Sequence, residues 1–185
     1  MVDYGINFWA NGDFFIDDGQ VKINHKSKPA LIQIVQEIRE KGYRGPLLLR
    51  FPHLIKNQIC KVFTAFERAI AEYNYQGNFK AVFPLKVNQM PHFVLPLVEQ
   101  SADKCYGLEA GSKPELILAM AYANKNTPIT VNGFKDREMI SLGFIAANMK
   151  HDITITIEGL NELETIIDVA KEMGEPYPKI GLRIR

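Results

Sequence analysis

Apolar residues recur along most of the chain in short runs separated by longer amphipathic stretches, a rhythm that predicts βα units. The runs begin 23 to 33 residues apart, which leaves room for a strand, a helix and two loops. A strand is predicted at each of six runs, residues 47–51, 80–85, 105–108, 128–131, 153–157 and 180–184. The chain therefore has an internal architectural repeat.

The stretches between the runs carry helix end signals and one-sided apolar stripes. Caps are predicted at Ser27, at Ser112 with Glu115 as a capping box, and at Asp136, while Gly42 and Gly174 stop helices. A further helix is predicted to begin at Asn161. The stripes, which we expect to pack in the core, are Leu31, Ile34, Val35 and Ile38; Ile59, Val62, Phe63, Phe66, Ile70 and Tyr73; Leu116, Ile117 and Met120; Met139, Ile140 and Gly143; and Leu163, Ile166, Ile167 and Ala170.

The first portion of the chain lacks this rhythm. Residues 4–24 place aromatic and β-branched residues around two turn signals, Asn-Gly-Asp at 11–13 and Asp-Asp-Gly at 17–19, which indicates short antiparallel strands. We divide the chain into an N-terminal β segment, residues 1–26, and a βα region, residues 27–185.

Six strands that are parallel by their crossovers admit two α/β folds, an open doubly wound sheet or part of a TIM-type (β/α)8 barrel. A whole barrel of this type needs eight strands and about 250 residues. The sequence stops inside the sixth run, without a cap or polar tail, and this favours an incomplete barrel. An incomplete barrel would leave two open sheet edges, which are prone to aggregation.

Composition excludes several classes of function. A formal net charge of +1 and 23% charged residues give neither a nucleic-acid footprint nor a membrane-surface role. The apolar runs are too short to span a bilayer and the N-terminus does not look like a signal peptide, so we expect a cytoplasmic protein. No Gly-x-Gly spacing occurs, which argues against a nucleotide enzyme.

The cysteines and histidines show no metal-ligand spacing. Cys60 and Cys105 form no Cys-x-x-Cys pair and are predicted to be small buried hydrophobes. The four histidines form no His-x-x-x-His pair, so no metal site is predicted from them.

Chemistry in a parallel βα array belongs at the carboxyl ends of the strands. Lys86 is at one such strand end, where it closes an apolar run and opens a polar turn. A lysine that is partly stripped of water there could form an imine with a carbonyl cofactor. The alternative is that these residues are solvated strand ends, with Arg183 as a pairing partner. The residues at the predicted ends are Arg50 or His53, Lys86, Glu109, Asn132, Glu158 and Arg183.

Several motifs occur in order along the chain, at residues 4–9 (YGINFW), 47–52 (LLLRFP), 82–89 (VFPLKVNQ), 106–116 (YGLEAGSKPEL) and 131–136 (VNGFKD). Together they resemble the biosynthetic arginine decarboxylase family. The resemblance covers essentially all of this chain but only about the N-terminal third of the family's length. Phe83 and Leu85 stand where tyrosine and isoleucine are common in the family, and both keep the strand apolar.

The resemblance implies a pyridoxal 5'-phosphate (PLP) enzyme with an alanine-racemase-like barrel that converts L-arginine to agmatine and CO₂, on the route to putrescine and spermidine. Lys86 matches the family's Schiff-base lysine. Glu109, Glu115 and Arg183 match cofactor-adjacent positions in the wider group, although Glu115 is also the third residue of a capped helix, where glutamate closes the box.

The resemblance further implies a dimer-based homo-oligomer, allows Mg²⁺ as a second cofactor, and makes residues 1–26 part of a β domain completed elsewhere. The family's ring-stacking histidine, phosphate cup, pyridine-nitrogen acid and the residues given across the dimer have no counterpart up to Arg185. We therefore expect a fragment that is inactive alone. A non-catalytic barrel fragment, or an ornithine or diaminopimelate decarboxylase, stays open as an alternative.

Overall fold

Residues 4–101, 103 and 106–184 are described by the computed structural model. They divide into two units, Met1–Leu54 and Ile55–Arg185. This division by contacts falls after Leu54, whereas the division after residue 26 separates a β segment from a barrel region and stays a prediction. The predictions made for Cys105, and for a strand starting there, lie outside the described residues.

The first unit is built on the hairpin that the turn signals predict. Strands β1 (Phe14–Asp17) and β2 (Gln20–Ile23) pair antiparallel, with Phe14 opposite Ile23. Asp18 and Gly19, at φ 49° and 70°, form the two-residue turn, whose positive φ angles suit the twist of the strands. A one-turn helix, α1 (Ile6–Trp9), precedes the hairpin, and α2 (Leu31–Glu40) follows it.

The first predicted strand is wrong. Residues 47–51 alternate between half-buried and exposed, as a strand would, but they belong to no strand in the described part of the chain. A strand exists only where a neighbour takes up its backbone hydrogen bonds, and the apolar pattern of a run carries no information about that neighbour.

The second unit is a parallel sheet with a helix between each pair of strands. Its five strands are β3 (Val82–Pro84), β4 (Gly107–Ala110), β5 (Ile129–Val131), β6 (Ile153–Ile157) and β7 (Lys179–Leu182). Helix α3 (His53–Glu72), which begins at the end of the first unit, precedes them, and α4 (Pro91–Gln100), α5 (Lys113–Tyr122), α6 (Arg137–Asn148) and α7 (Leu160–Met173) alternate with them. The βα expectation is confirmed with five sheet strands instead of six.

Strand order separates the two folds that the sequence leaves open. The strands lie side by side in chain order, β3-β4-β5-β6-β7, and every pair is parallel. A doubly wound sheet reverses its order at a switch point, whereas a barrel winds in one direction. With right-handed crossovers throughout, a sheet wound in one direction carries its helices on one face. The second unit is therefore part of a (β/α) barrel.

The core lies between the sheet and the helices. In β6 the three isoleucines are buried and the two threonines between them are half-buried, which is the alternation of a strand with two different faces. Phe144 of α6 is 1% exposed and is among the largest fully buried side chains. The helical stripes are only partly buried, since Val62, Phe66, Tyr73, Ile117, Leu163 and Ile167 are exposed.

Two of the three predicted caps are confirmed. The Ser112 hydroxyl accepts the Glu115 N–H (3.4 Å) and Asp136 Oδ1 accepts the Met139 N–H (2.9 Å). The Ser27 cap is wrong, because α2 begins only at residue 31, with Ala30 as its N-cap. The Gln33 side chain accepts the Ala30 N–H (3.2 Å), so one backbone donor at this helix start is satisfied without a capping hydroxyl.

Cys60 matches its predicted environment only in part. It is half-buried in α3 and forms no disulfide within the described residues.

Candidate functional site

A cavity of about 690 Å³ opens at the carboxyl ends of the parallel strands. That size lies within the range of small-molecule sites, about 300–1,000 Å³. All four residues predicted for the site line it, together with the predicted strand-end residue Asn132. The lining residues are Lys86, Glu109, Gly111, Glu115, Asn132, Gly133, Thr156, Leu182, Arg183 and Ile184.

Lys86 is held by a turn that begins where β3 ends. The Val87 N–H donates to the Pro84 carbonyl (3.0 Å), which closes a four-residue turn with Lys86 inside it. Leu85, completely buried, anchors that turn, and its N–H donates to the Glu109 carbonyl of β4 (3.0 Å). The backbone of Lys86 is therefore tied to the strand that carries Glu109.

The Lys86 side chain is exposed, and this corrects the expectation of a lysine partly stripped of water. Within the described residues its Nζ makes no hydrogen bond or ion pair. Residues 85–87 form a turn beyond the end of the ladder, so the side chain extends over the cavity mouth and not between packed elements. The amine is free to reach a ligand, but this part of the barrel does not dehydrate it.

Glu109 and Glu115 bring carboxylates to the same cavity by different routes. Glu109 belongs to β4, where the buried Leu108 and Ala110 flank it, so its side chain takes the opposite face of the strand. Glu115 lies in the first turn of α5, and its Oε2 accepts the Gly111 N–H (2.8 Å). Glu115 therefore lines the cavity, but its carboxylate accepts the N–H of the residue before Ser112, so only the Ser112 half of the predicted capping box forms.

Arg183 follows β7, at the other edge of the sheet from Lys86, and pairs with Glu158. The Arg183 N–H continues the ladder to the Ile157 carbonyl (3.0 Å), and its Nη1 donates to Glu158 Oε1 (3.2 Å). The same oxygen accepts the Gly133 N–H (2.6 Å). This N–H and the Arg183 guanidinium hold the pKa of the Glu158 carboxyl below its ordinary value.

Gly133 occupies a position that suits glycine. Its φ is +79°, a conformation that L side chains rarely adopt, and a Cβ there would lie 3.2 Å from the Gly111 carbonyl oxygen. The close approach of residues 111 and 133 brings two strand-end loops together on the cavity wall.

The remaining predicted strand-end residues fall outside the cavity lining. Glu158 reaches the site through Arg183, while Arg50 and His53 belong to the first unit and are not lining residues. Prediction of the site missed Thr156, Gly111 and Gly133. The alternation Ile-Thr-Ile-Thr-Ile of residues 153–157 is a signal that could have identified Thr156, since it sets the polar residues on the face away from the helices.

The cavity combines opposite charges on one rim. Lys86 and Arg183 line the cavity together with Glu109 and Glu115, so the site offers an amine nucleophile, guanidinium donors and carboxylates that can accept protons. Among the described residues, no group of three or more His, Cys, Asp or Glu side chains could hold a metal ion. In the same residues, no helix is long and apolar enough to cross a bilayer.

Comparison with known proteins confirms the resemblance drawn from the motifs. The chain is 39% identical over 190 residues to the biosynthetic arginine decarboxylase of Tolumonas auensis, of which it covers 30%. It is 38% identical over 193 residues to that of Vibrio cholerae, again covering 30%. The chain thus spans about 30% of the length of these curated relatives. No family model matches it.

Solved structures agree with the barrel fold. A crystal structure of the biosynthetic arginine decarboxylase from Campylobacter jejuni superposes with a TM-score of 0.97 at 62% identity, covering all of this chain and 31% of that one. The diaminopimelate decarboxylase of M. jannaschi superposes with a TM-score of 0.70 at 25% identity, covering 96% and 37% of the two chains. Both likenesses extend over nearly the whole chain.

Proposed function

We propose that this chain, which is homologous over its whole length to one part of the biosynthetic arginine decarboxylases, carries the cofactor lysine and part of the cofactor site of an enzyme that converts L-arginine to agmatine and CO₂. One observation carries the proposal. Lys86, Glu109, Glu115 and Arg183, which come from four different elements or turns of the second unit, line one cavity at the carboxyl ends of a barrel sheet.

The donor set of the cavity fits PLP. The cofactor supplies an aldehyde that condenses with an amine and a ring that accepts the electron pair left when CO₂ departs. Lys86 is the residue that would hold it, since a primary amine with open approach is the group that condenses with an aldehyde. The paired guanidinium of Arg183 leaves further N–H donors for an anionic oxygen. No described group fits Mg²⁺, and we assign it no step.

Each residue of the cavity has a task that follows from its chemistry. Lys86 must lose a proton from Nζ before it can bond to a carbonyl carbon, and the Glu109 carboxylate, which lines the same cavity, is the group that would take it up. Glu115 is oriented by the Gly111 N–H, and Arg183 by Glu158, so both point to the cavity without reorganising.

The exposure of Lys86 argues that the chain does not turn over arginine by itself. A hydrated amine in an open cavity lacks the dry surroundings that strengthen electrostatic stabilisation. We propose that this segment attaches the cofactor and that decarboxylation requires the remaining part of the family's site. The whole enzyme would be a dimer-based assembly in the cytoplasm. The agmatine that it forms would enter polyamine synthesis.

Attachment is tested by incubating the purified chain with PLP, reducing the adduct with borohydride and mapping the label by mass spectrometry. We expect one label per chain, on the peptide that contains Lys86, and loss of that label in Lys86→Ala. Lys80→Ala is the matched control, since Lys80 is an exposed lysine at the other end of β3. Equal labelling of Lys80, or a retained label in Lys86→Ala, would overturn the assignment.

Turnover and substrate are tested by offering arginine, ornithine and diaminopimelate with PLP and measuring the amine product. We expect no product from this chain above the Lys86→Ala background. Agmatine from this chain alone would contradict the requirement for a longer protein. Product from ornithine or diaminopimelate, but not from arginine, would move the assignment to one of the alternative substrates.

A further inference from the structure

A buried ion pair lies behind the cavity wall. Lys135 Nζ is 3.1 Å from Glu162 Oε2, and the two side chains are 0% and 9% exposed. Lys135 follows β5, and Glu162 lies in the first turn of α7. Neither residue is among those that line the cavity. Because burying two charges costs free energy that their attraction only partly returns, such a pair is weak evidence for a purely stabilising role.

The pair joins the two loops on either side of it. Glu162 Oε1 accepts the Lys135 N–H (2.9 Å), and Oε2 accepts the Glu158 N–H (2.8 Å). Lys135 Nζ also donates to the Gly133 carbonyl. The loop after β5 and the loop after β6 are thereby fixed to one carboxylate and one ammonium.

The same two loops hold the polar wall of the cavity. The Gly133 N–H and Arg183 Nη1 both donate to Glu158 Oε1 (2.6 Å and 3.2 Å). Gly133 is therefore held on its carbonyl side by Lys135 and on its N–H side by Glu158. The backbone of Glu158 is held by Glu162, while its carboxylate holds Arg183.

We propose that the Lys135–Glu162 pair is a positioning device that holds the Glu158 carboxylate, and through it the Arg183 guanidinium, in one orientation at the cavity. Lys135 and Glu162 act through Glu158 and touch no ligand themselves. The effect on cofactor attachment rests on the function proposed above, but the orientation of Arg183 does not.

The test measures the NMR signal of the Arg183 side chain. In nitrogen-15-labelled chain without cofactor, the Arg183 Nε–H signal, identified by its loss in Arg183→Lys, reports whether the guanidinium is held. We expect a signal displaced from that of free arginine in the native chain, and a shift towards the free position in both Glu158→Gln and Glu162→Gln. Glu172→Gln is the matched control, an exposed glutamate on the same helix that pairs with Arg137.

Glu162→Gln leaves the Lys135 ammonium buried without its partner and can fail to fold. The double variant Lys135→Met/Glu162→Gln removes both charges and keeps an acceptor for a backbone N–H. If neither variant gives a cooperative melt, hydrogen exchange in the native chain decides. Equal slow exchange of the Gly133 and Glu158 N–H groups supports the device, and exchange of either at the rate of an exposed loop overturns it.

Cofactor affinity supplies a second readout. We expect the PLP concentration for half-maximal labelling of Lys86 to rise roughly 10- to 100-fold in Glu162→Gln, the loss that mutation of residues supporting the ligands of a metal site causes. An unchanged Arg183 signal in a folded Glu162→Gln chain would overturn the device. If the native chain shows a held Arg183 but no label on Lys86, the device stands and the proposed function fails.

Discussion

The Glu158 carboxylate accepts hydrogen bonds both from the backbone and from Arg183, a residue that lines the cavity. The Glu158 side chain is 3% exposed, yet it is not isolated, because a peptide N–H and a guanidinium both donate to one of its oxygens. These donors stabilise the charged form more than burial destabilises it, and the pKa of the carboxyl lies below its ordinary value of 4.5. Folding and the charge on Glu158 are therefore linked.

We expect the free energy of unfolding to fall less steeply with decreasing pH in Glu158→Gln than in the native chain. With a lowered pKa in the folded state, the contribution of Glu158 is complete above its ordinary value of 4.5 and is lost as the pH falls through the folded value. Urea unfolding at several pH values between about 3 and 7 measures this dependence. Glu164→Gln, at an exposed position on α7, is the control. If the free energy of unfolding of Glu158→Gln falls in acid as steeply as that of the native chain, stability is not linked to the charge on Glu158.

At the scale of single elements, the start of α5 joins stability to the site. Ser112 caps the helix, Pro114 lies in its first turn, and Glu115 reaches back to Gly111 at the cavity wall. A capping box normally returns the glutamate to the N-cap residue itself. Here the Glu115 carboxylate instead accepts the N–H of Gly111, the residue before the N-cap. The same carboxylate therefore stabilises the helix start and lines the cavity.

We expect Ser112→Ala to lower the free energy of unfolding by about 1 kcal/mol, because the Glu115 N–H loses its acceptor. Urea denaturation of the native and variant chains gives this difference. Ser112→Thr, which keeps a hydroxyl at the N-cap, should retain most of the stability. Equal losses in both variants would mean that the cap does not carry the effect.

Elements also show the limit of the apolar pattern. Residues 47–51 (LLLRF) are a strand-like apolar run, but no strand forms there in the described residues, while the apolar run of residues 153–157 (ITITI) forms β6. The difference is the neighbour, since β6 pairs with β5 on one side and β7 on the other.

At the scale of the whole molecule, the sheet of the second unit has two edges. In the described residues β3 pairs only with β4, and β7 only with β6. On β7, Leu182 is 76% exposed and Ile180 is 48% exposed, so this edge is apolar as well as unpaired. Such an edge offers backbone groups and apolar surface to another chain.

We expect the purified chain to self-associate as its concentration rises, and Leu182→Lys to weaken that association by placing a charge on the edge strand. Sedimentation velocity over a range of concentrations measures it. Leu163→Lys adds the same charge at an exposed leucine of α7, away from the edge, and should have little effect. A native chain that stays monomeric at every concentration would contradict the prediction.

Local sequence was enough to predict what local physics controls. The βα rhythm, the Asp18-Gly19 turn and the caps at Ser112 and Asp136 depend on residues close together in the chain, and the structure confirms each of them. The strand-end positions of Lys86, Glu109 and Arg183 were also predictable, because parallel strands carry their carboxyl ends to one edge. Glu115, in the first turn of α5, was assigned to the site from the family resemblance.

The sequence by itself determined the repeating elements and the residue types that could do chemistry at their ends. Only the tertiary structure decided the strand order, the exposure of Lys86 and the chain of contacts from Glu162 through Glu158 to Arg183. The physical reason is range. Caps, turns and apolar stripes are settled within a few residues, whereas strand pairing, burial and buried charge networks depend on groups that are distant in sequence and meet only when the chain folds.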